Sequence, residues 1–265
     1  DDRQVRRLLE GDGGDGADRL KVFDGPRRGF AANFFSLIAR PEVAADCDAF
    51  TDQDDEWDDR KLERAVAALA RVPGGTPALY GSASELIDAQ GRTIGRSRPF
   101  RQPPSFANAL VQNMVTGNTM VLNDAALVLI RRGGTDVPVS AHDWWAYLLV
   151  TGYGGTMIYD PYPTIRYRQH GANLYGANVS LQAMWTRVSR LFRGDFRQWN
   201  AANVDALRRC WPLLDDSSRR RVELFERARR APRATKLFHL LRSGVYRQTW
   251  DGQLGLFVAA LSNRI

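Results

Sequence analysis

The sequence predicts an α/β layered domain followed by an all-helical, basic extension. Three observations carry this. Short strand-like runs alternate with stretches of helical period up to about residue 170. After about residue 180 only helical periodicity remains. The charge divides at the same place: residues 181–265 carry 17 Lys and Arg against 7 Asp and Glu, and residues 1–180 carry 20 against 23. The expected units are therefore 1–180 and 181–265.

In chain order, residues 3–10 read as the end of a helix and 11–16 as a Gly/Asp loop. Residues 20–23 read as a strand, and Asp24-Gly25-Pro26 turns the chain. Residues 29–38 are helical, with Phe30, Phe34, Leu37 and Ile38 on one face. Residues 49–51 form a strand that enters an acidic run. Residues 58–72 form a helix on Leu62, Ala65, Val66 and Leu69, which Pro73-Gly74-Gly75 stops. Residues 78–82 are a strand and 86–94 a ribbon around a turn. Helix is expected over 105–115, strand over 117–122, helix over 124–131 and helix over 140–153, with Trp145, Leu148 and Leu149 inside. Residues 156–159 and 164–168 read as two strands.

With 265 residues, 44% of them hydrophobic, the chain can bury a substantial core. It has no run of eighteen apolar residues, so no membrane-spanning helix is expected. Cys47 and Cys210 have no ligand or disulfide spacing, which fits a reducing compartment. A basic tail seeks phosphates, on a membrane surface, a lipid-linked substrate or nucleic acid.

Four stretches could carry chemistry. In Phe50-Thr51-Asp52-Gln53-Asp54-Asp55-Glu56-Trp57, four acidic residues fall within five positions. Such mutual repulsion is tolerated where a cation comes to sit, or the acids cap the following helix. In Ser140-Ala141-His142-Asp143-Trp144-Trp145, Asp143 reads either as the N3 carboxylate of a capping box or as a general base held beside tryptophans. The run from Ile165 to Asn173 ends a strand in Arg168, His170 and Gly171. That is either a phosphate- or metal-contacting turn or a solvated strand end. Thr116-Gly117-Asn118-Thr119-Met120-Val121 is either a close-approach loop for a substrate or a plain turn.

Taken in order, Asp-Gln-Asp-Asp-x-Trp with Lys61-Leu62, Leu79-Tyr80-Gly81-Ser82 with Asp88 to Gly91, Gly117 to Val121, His142 to Trp145 and Tyr167 to Asn173 resemble the family-2 inverting glycosyltransferases of GT-A fold. The rhamnosyltransferase-like bacterial members that build surface polysaccharides are the most similar. The resemblance spans roughly residues 3–180, with a weaker echo at 244–248. It implies that Asp52 faces a nucleotide-diphospho-sugar donor and that Asp54, with His170 nearby, ligates a divalent cation, Mn2+ or Mg2+. Asn33 would line the nucleotide pocket. Trp57, Gly117, Asn118 and Trp144 would form the acceptor side, with Asp55 shaping the sugar pocket. Asp143 would be the catalytic base that deprotonates the acceptor hydroxyl.

The family's opening strands, which hold the nucleobase, have no counterpart ahead of Asp1-Asp2. The resemblance therefore implies an N-terminally truncated GT-A sheet. The acceptor would be a surface polysaccharide or lipid-linked glycan at the cytoplasmic face of the inner membrane, with the basic tail in peripheral contact with anionic lipid. The rival reading is a truncated, non-catalytic paralogue that binds glycan or partner enzymes. Nucleic-acid binding is disfavoured, because the positive charge is confined to the tail and no aromatic-basic platform or helix-turn-helix pattern is present.

Overall fold

The computed structural model describes residues 21–43, 45–169 and 195–265. A six-stranded mixed sheet forms its centre. The spine is β3 (Ala78–Ile87) beside β6 (Thr156–Arg168), paired in parallel from Ala78 opposite Thr156 to Ile87 opposite Arg168. Parallel neighbours need a long crossover, here supplied by everything between them. β1 (Cys47–Ala49) and β5 (Val121–Asn123) extend one side by antiparallel pairing, β5 lying against β3. β2 (Glu56–Trp57) pairs antiparallel with β6 on the other side, and β4 (Thr93–Arg96) folds back on the end of β3.

The two strands expected over 156–159 and 164–168 are one. Ser82 pairs with Asp160, Ala83 with Pro163 and Ser84 with Ile165, so β6 absorbs extra residues in a bulge. Prolines cannot donate to a ladder and collect at such irregularities. Pro161 and Pro163 therefore interrupt the register and not the strand. The strand expected over 20–23 does not form in its described part, since residues 21–26 have no regular structure.

Helices cover the sheet. α1 (Phe30–Ile38), α2 (Lys61–Leu69), α3 (Phe106–Ala109), α4 (Asp124–Gly133) and α5 (His142–Gly152) lie before β6. α3 is only the start of the helix expected over 105–115, because Asn108 O accepts from both Val111 N and Gln112 N and the chain then turns. The strand expected over 117–122 opens as a 3-10 turn, Gly117–Thr119, and becomes strand only at Val121. α5 has no solvent face over most of its length: Trp145, Tyr147, Leu148, Leu149 and Val150 are all 0% exposed. A helix that is apolar all round belongs in the core, and the sheet and α3 and α4 enclose it.

The C-terminal part is helical as expected: α6 (Asp195–Arg209), a 3-10 turn (Trp211–Leu213), α7 (Asp216–Arg230), α8 (Arg233–Ser243) and α9 (Trp250–Leu261). These helices share one hydrophobic core with the α/β part, through Phe196, Val204, Leu207, Val222 and Phe225. Polar bonds lock the junction. Asn108 Nδ2 donates to Tyr246 O at 2.9 Å, and the Gln248 side chain exchanges two 3.0 Å bonds with the backbone of Gln102. Among the described residues no helix is long and apolar enough to cross a membrane.

Candidate functional site

The acidic run links β1 to β2, with Asp52, Asp54 and Asp55 half-buried. Asp55 is clamped from two sides. Its Oδ1 accepts from the Arg168 backbone N–H at 3.1 Å, and its Oδ2 accepts from Asn118 Nδ2. Burial raises its proton affinity, those two bonds oppose this, and Asp52 and Asp54 raise it further. Asp52 is likewise raised, first by burial and then by Asp54, with Lys61 opposing.

Lys61, the first residue of α2, is 0% exposed. Its Nζ donates to Asn118 O at 2.6 Å and stands 3.6 Å from the centroid of the Trp57 ring. Burial pulls its pKa down to about 8, against the pull of Asp55 and Asp52. Glu56 has a different task. Arg166 and Arg168 both pair with it, and Arg168 also donates to the carbonyls of Asp54, Asp88 and Ala89. This lacing ties the turn at the end of β3 to the acidic run.

Across the site, Asp143 sits in the first turn of α5. The expected capping box does not form. The N-cap is Ala141, which makes no side-chain cap bond. The Asp143 carboxylate instead accepts from Trp144 N at 2.6 Å and from the distant Gly117 N at 2.9 Å. Burial pushes its pKa up to about 6, opposed by those two amides and by the Asn113 side chain. Gly117 has no room for a side chain, since a Cβ there would stand 2.6 Å from His142 Nε2. His142 is stacked on Phe34 at 4.0 Å between centroids, with Phe30, Phe35 and Phe50 at its edges. Among the described residues neither of its ring nitrogens has a partner, and burial pulls its pKa down to about 3, so it is neutral.

Tyr167 relates the two sides. Burial pushes its phenol up to about 12, followed by the charges of Asp55, Asp52, Asp54 and Asp143. One hydroxyl on β6 thus feels Asp55, Asp52, Asp54 and Asp143 together.

The remaining expected residues are placed as follows. Gly117 and Asn118 are buried at the centre of the site. Trp57 is 36% exposed under Lys61. Trp144 is buried, its indole N–H given to Ala109 O at 2.7 Å and its ring edge-on to Trp199, so it anchors the helical part. Asn33 is on the exposed face of α1 against Gly25, and among the described contacts none joins it to the acidic run. His170 lies outside the described residues. Among the described residues no group of three or more His, Cys, Asp or Glu converges as a metal ligand set. Sequence reasoning missed Tyr167 as a site residue and Lys61 as a buried one. The local signals for Tyr167 are its place at the head of the Tyr167–Asn173 stretch and the strand alternation of Ile165-Arg166-Tyr167-Arg168.

No family model matches the chain. Over 168 residues it is 27% identical to a dTDP-rhamnosyl transferase, RfbG, of Shigella flexneri. The chain is similar to a rhamnosyl transferase. The match covers 60% of this chain and 56% of that protein, so the chain spans about half the length of the curated relative it matches.

Proposed function

We propose that this protein is an inverting glycosyltransferase of GT-A type. It transfers a sugar, rhamnose in the first instance, from a nucleotide-diphosphate donor to a surface polysaccharide or lipid-linked glycan. The observation that carries this is the pairing of an acidic run with a separate, buried carboxylate, Asp143, joined to it through the consecutive residues Gly117 and Asn118. The similarity to a dTDP-rhamnosyl transferase supports the same reading.

In this reading Asp52 and Asp54 meet the donor. The residues there fit a cation that is shared with phosphates. Mg2+ and Mn2+ sites of that kind use one or two protein carboxylates, and no all-protein cage is needed. Mn2+ or Mg2+, held by Asp54 with His170 as the second candidate, supplies positive charge for the leaving diphosphate when bound. Asn33 stays assigned to the nucleotide side.

Asp143 accepts the proton of the acceptor hydroxyl as that oxygen attacks the anomeric carbon from the face opposite the diphosphate. Two backbone amides fix the carboxylate, and its raised pKa suits a base working near neutrality. Trp57, Gly117, Asn118 and Trp144 frame the acceptor side, Trp144 from behind through its packing. Asp143→Asn tests the assignment. It should slow release of nucleoside diphosphate from dTDP-rhamnose plus acceptor by about 10²–10⁴-fold while donor binding persists.

The helical part gives the enzyme a surface for its acceptor's membrane. On α8 and α9, Phe238, Leu241, Trp250, Leu254, Val258 and Leu261 face solvent, Trp250 at 80%. Arg233 and Arg242 flank them. An apolar stripe with Trp and Arg at its margins suits peripheral contact with anionic lipid.

A further inference from the structure

Lys61 breaks two ordinary rules. A lysine in the first turn of a helix faces the unfavourable end of the helix dipole. A buried ammonium is tolerated only when it is compensated. Its neighbours Arg60, Leu62 and Glu63 are exposed or partly exposed, so water lies within reach of a side chain this long. It nevertheless turns inward, to 0% exposure.

Two carboxylates, Asp55 and Asp52, favour its charged form there. Its ammonium donates to Asn118 O at 2.6 Å. Asn118 in turn holds Asp55 through its side-chain amide, and its neighbour Gly117 holds Asp143 through its backbone N–H at 2.9 Å. Lys61 therefore touches the Trp57 ring at the end of the acidic run and the turn that orients Asp143.

From this we infer that Lys61 is the internal counter-ion of the acidic run. Its ammonium keeps Asp52 and Asp55 in place while no cation-bearing donor is present, and it competes with that cation for the same negative charge. It is a positioning residue: it steadies the site without touching the reacting atoms. The inference rests on the reading of the acidic run as the donor site, and the experiment separates the two.

Mn2+ binding is measured without donor, from the electron paramagnetic resonance of free Mn2+, in the wild-type protein, Lys61→Met and Lys61→Arg. Removal of a competing charge at this range should tighten Mn2+ binding about tenfold in Lys61→Met, with Lys61→Arg close to wild type. Equal or weaker binding by folded Lys61→Met, or no Mn2+ binding by any of the three, overturns the counter-ion role. Should Lys61→Met not fold in EDTA, its folding on addition of Mn2+ supports the role, and failure to fold with Mn2+ overturns it. Nucleotide-sugar binding is read in the same samples. Donor binding by wild type with unchanged Mn2+ affinity in Lys61→Met removes only the counter-ion role. Tighter Mn2+ binding without donor binding upholds that role and removes only the donor-site reading.

Discussion

The backbone N–H of Gly117 donates to Asp143 Oδ2 at 2.9 Å and so joins the turn ahead of β5 to the first turn of α5. Asn118, next in sequence, donates to Asp55. Two consecutive residues therefore fix the distance between the proposed base and the acidic run. The consequences below depend on that link.

Asp143→Asn separates chemistry from stability. Burial holds the folded-state pKa at about 6, above the usual carboxylate value, so folding favours the protonated acid. The sign follows. The cost of an ionised Asp143 is absent below the unfolded pKa and grows as pH rises from about 4 to 6. Relative to the variant, wild-type stability should fall by about 1–3 kcal/mol between pH 4 and pH 7, read by urea unfolding at both pH values. Transfer should fall by about 10²–10⁴-fold, and wild-type transfer should decline as pH drops below about 6.

His142 acts in the opposite direction. Burial holds its pKa at about 3, so the folded state keeps it neutral while the unfolded chain protonates near the usual imidazole value. Stability that is complete above about 6.5 should be lost as pH falls toward 3. His142→Leu should flatten this limb of the stability curve, measured by denaturant midpoints between pH 7 and pH 4. An unchanged slope would exclude His142 as the acid-labile group.

Gly117→Ala tests the turn itself. The new methyl would stand 2.6 Å from His142 Nε2 and 2.9 Å from Cε1, inside contact distance of a packed ring. Overpacking of this kind costs about 1–3 kcal/mol, and any shift of Gly117 also moves the amide on which Asp143 rests. Thermal unfolding and transfer rate should both fall. Wild-type values for both would mean that the turn is looser than described.

The apolar stripe of α8 and α9 predicts lipid binding. Trp250→Ser with Leu254→Ser should lower co-flotation with phosphatidylcholine–phosphatidylglycerol vesicles and leave the far-ultraviolet circular dichroism unchanged, since both side chains face solvent. Wild-type protein that fails to float with these vesicles would remove the membrane reading.

Much of the architecture was legible because it is local. The period of residues 58–72 gave α2, the alternation and turn residues of 86–94 gave the β3–β4 hairpin, and the helical periodicity read after about residue 180 is helix in its described part, 195–265. What was not legible depends on partners far along the chain. Gly117 and Asn118 read both as the start of a strand and as a loop or turn, and the outcome is a 3-10 turn whose backbone groups are claimed by Asp143 and Lys61, which the local sequence does not show. Ser140 and Asp143 have the spacing of a capping box, yet the carboxylate turns to Gly117 instead. Tyr167 heads the Tyr167–Asn173 stretch, yet only the placement of β6 beside β3 and β2 brings it within the field of Asp52, Asp54, Asp55 and Asp143. The acidic run, Asp143 and the Gly117–Asn118 turn stood out in the sequence, but the bonds by which that turn joins the other two did not.

Donor binding with the cation as the variable is the most direct test of glycosyl transfer. dTDP-, UDP- and GDP-sugars are titrated by calorimetry into wild type and Asp54→Ala, with Mn2+ and then with EDTA. The predicted result is binding of a nucleotide-sugar that needs Mn2+ and is lost in Asp54→Ala. Binding to none of the donors, or equal binding in EDTA and in the variant, would contradict the assignment of the acidic run as a cation-dependent donor site.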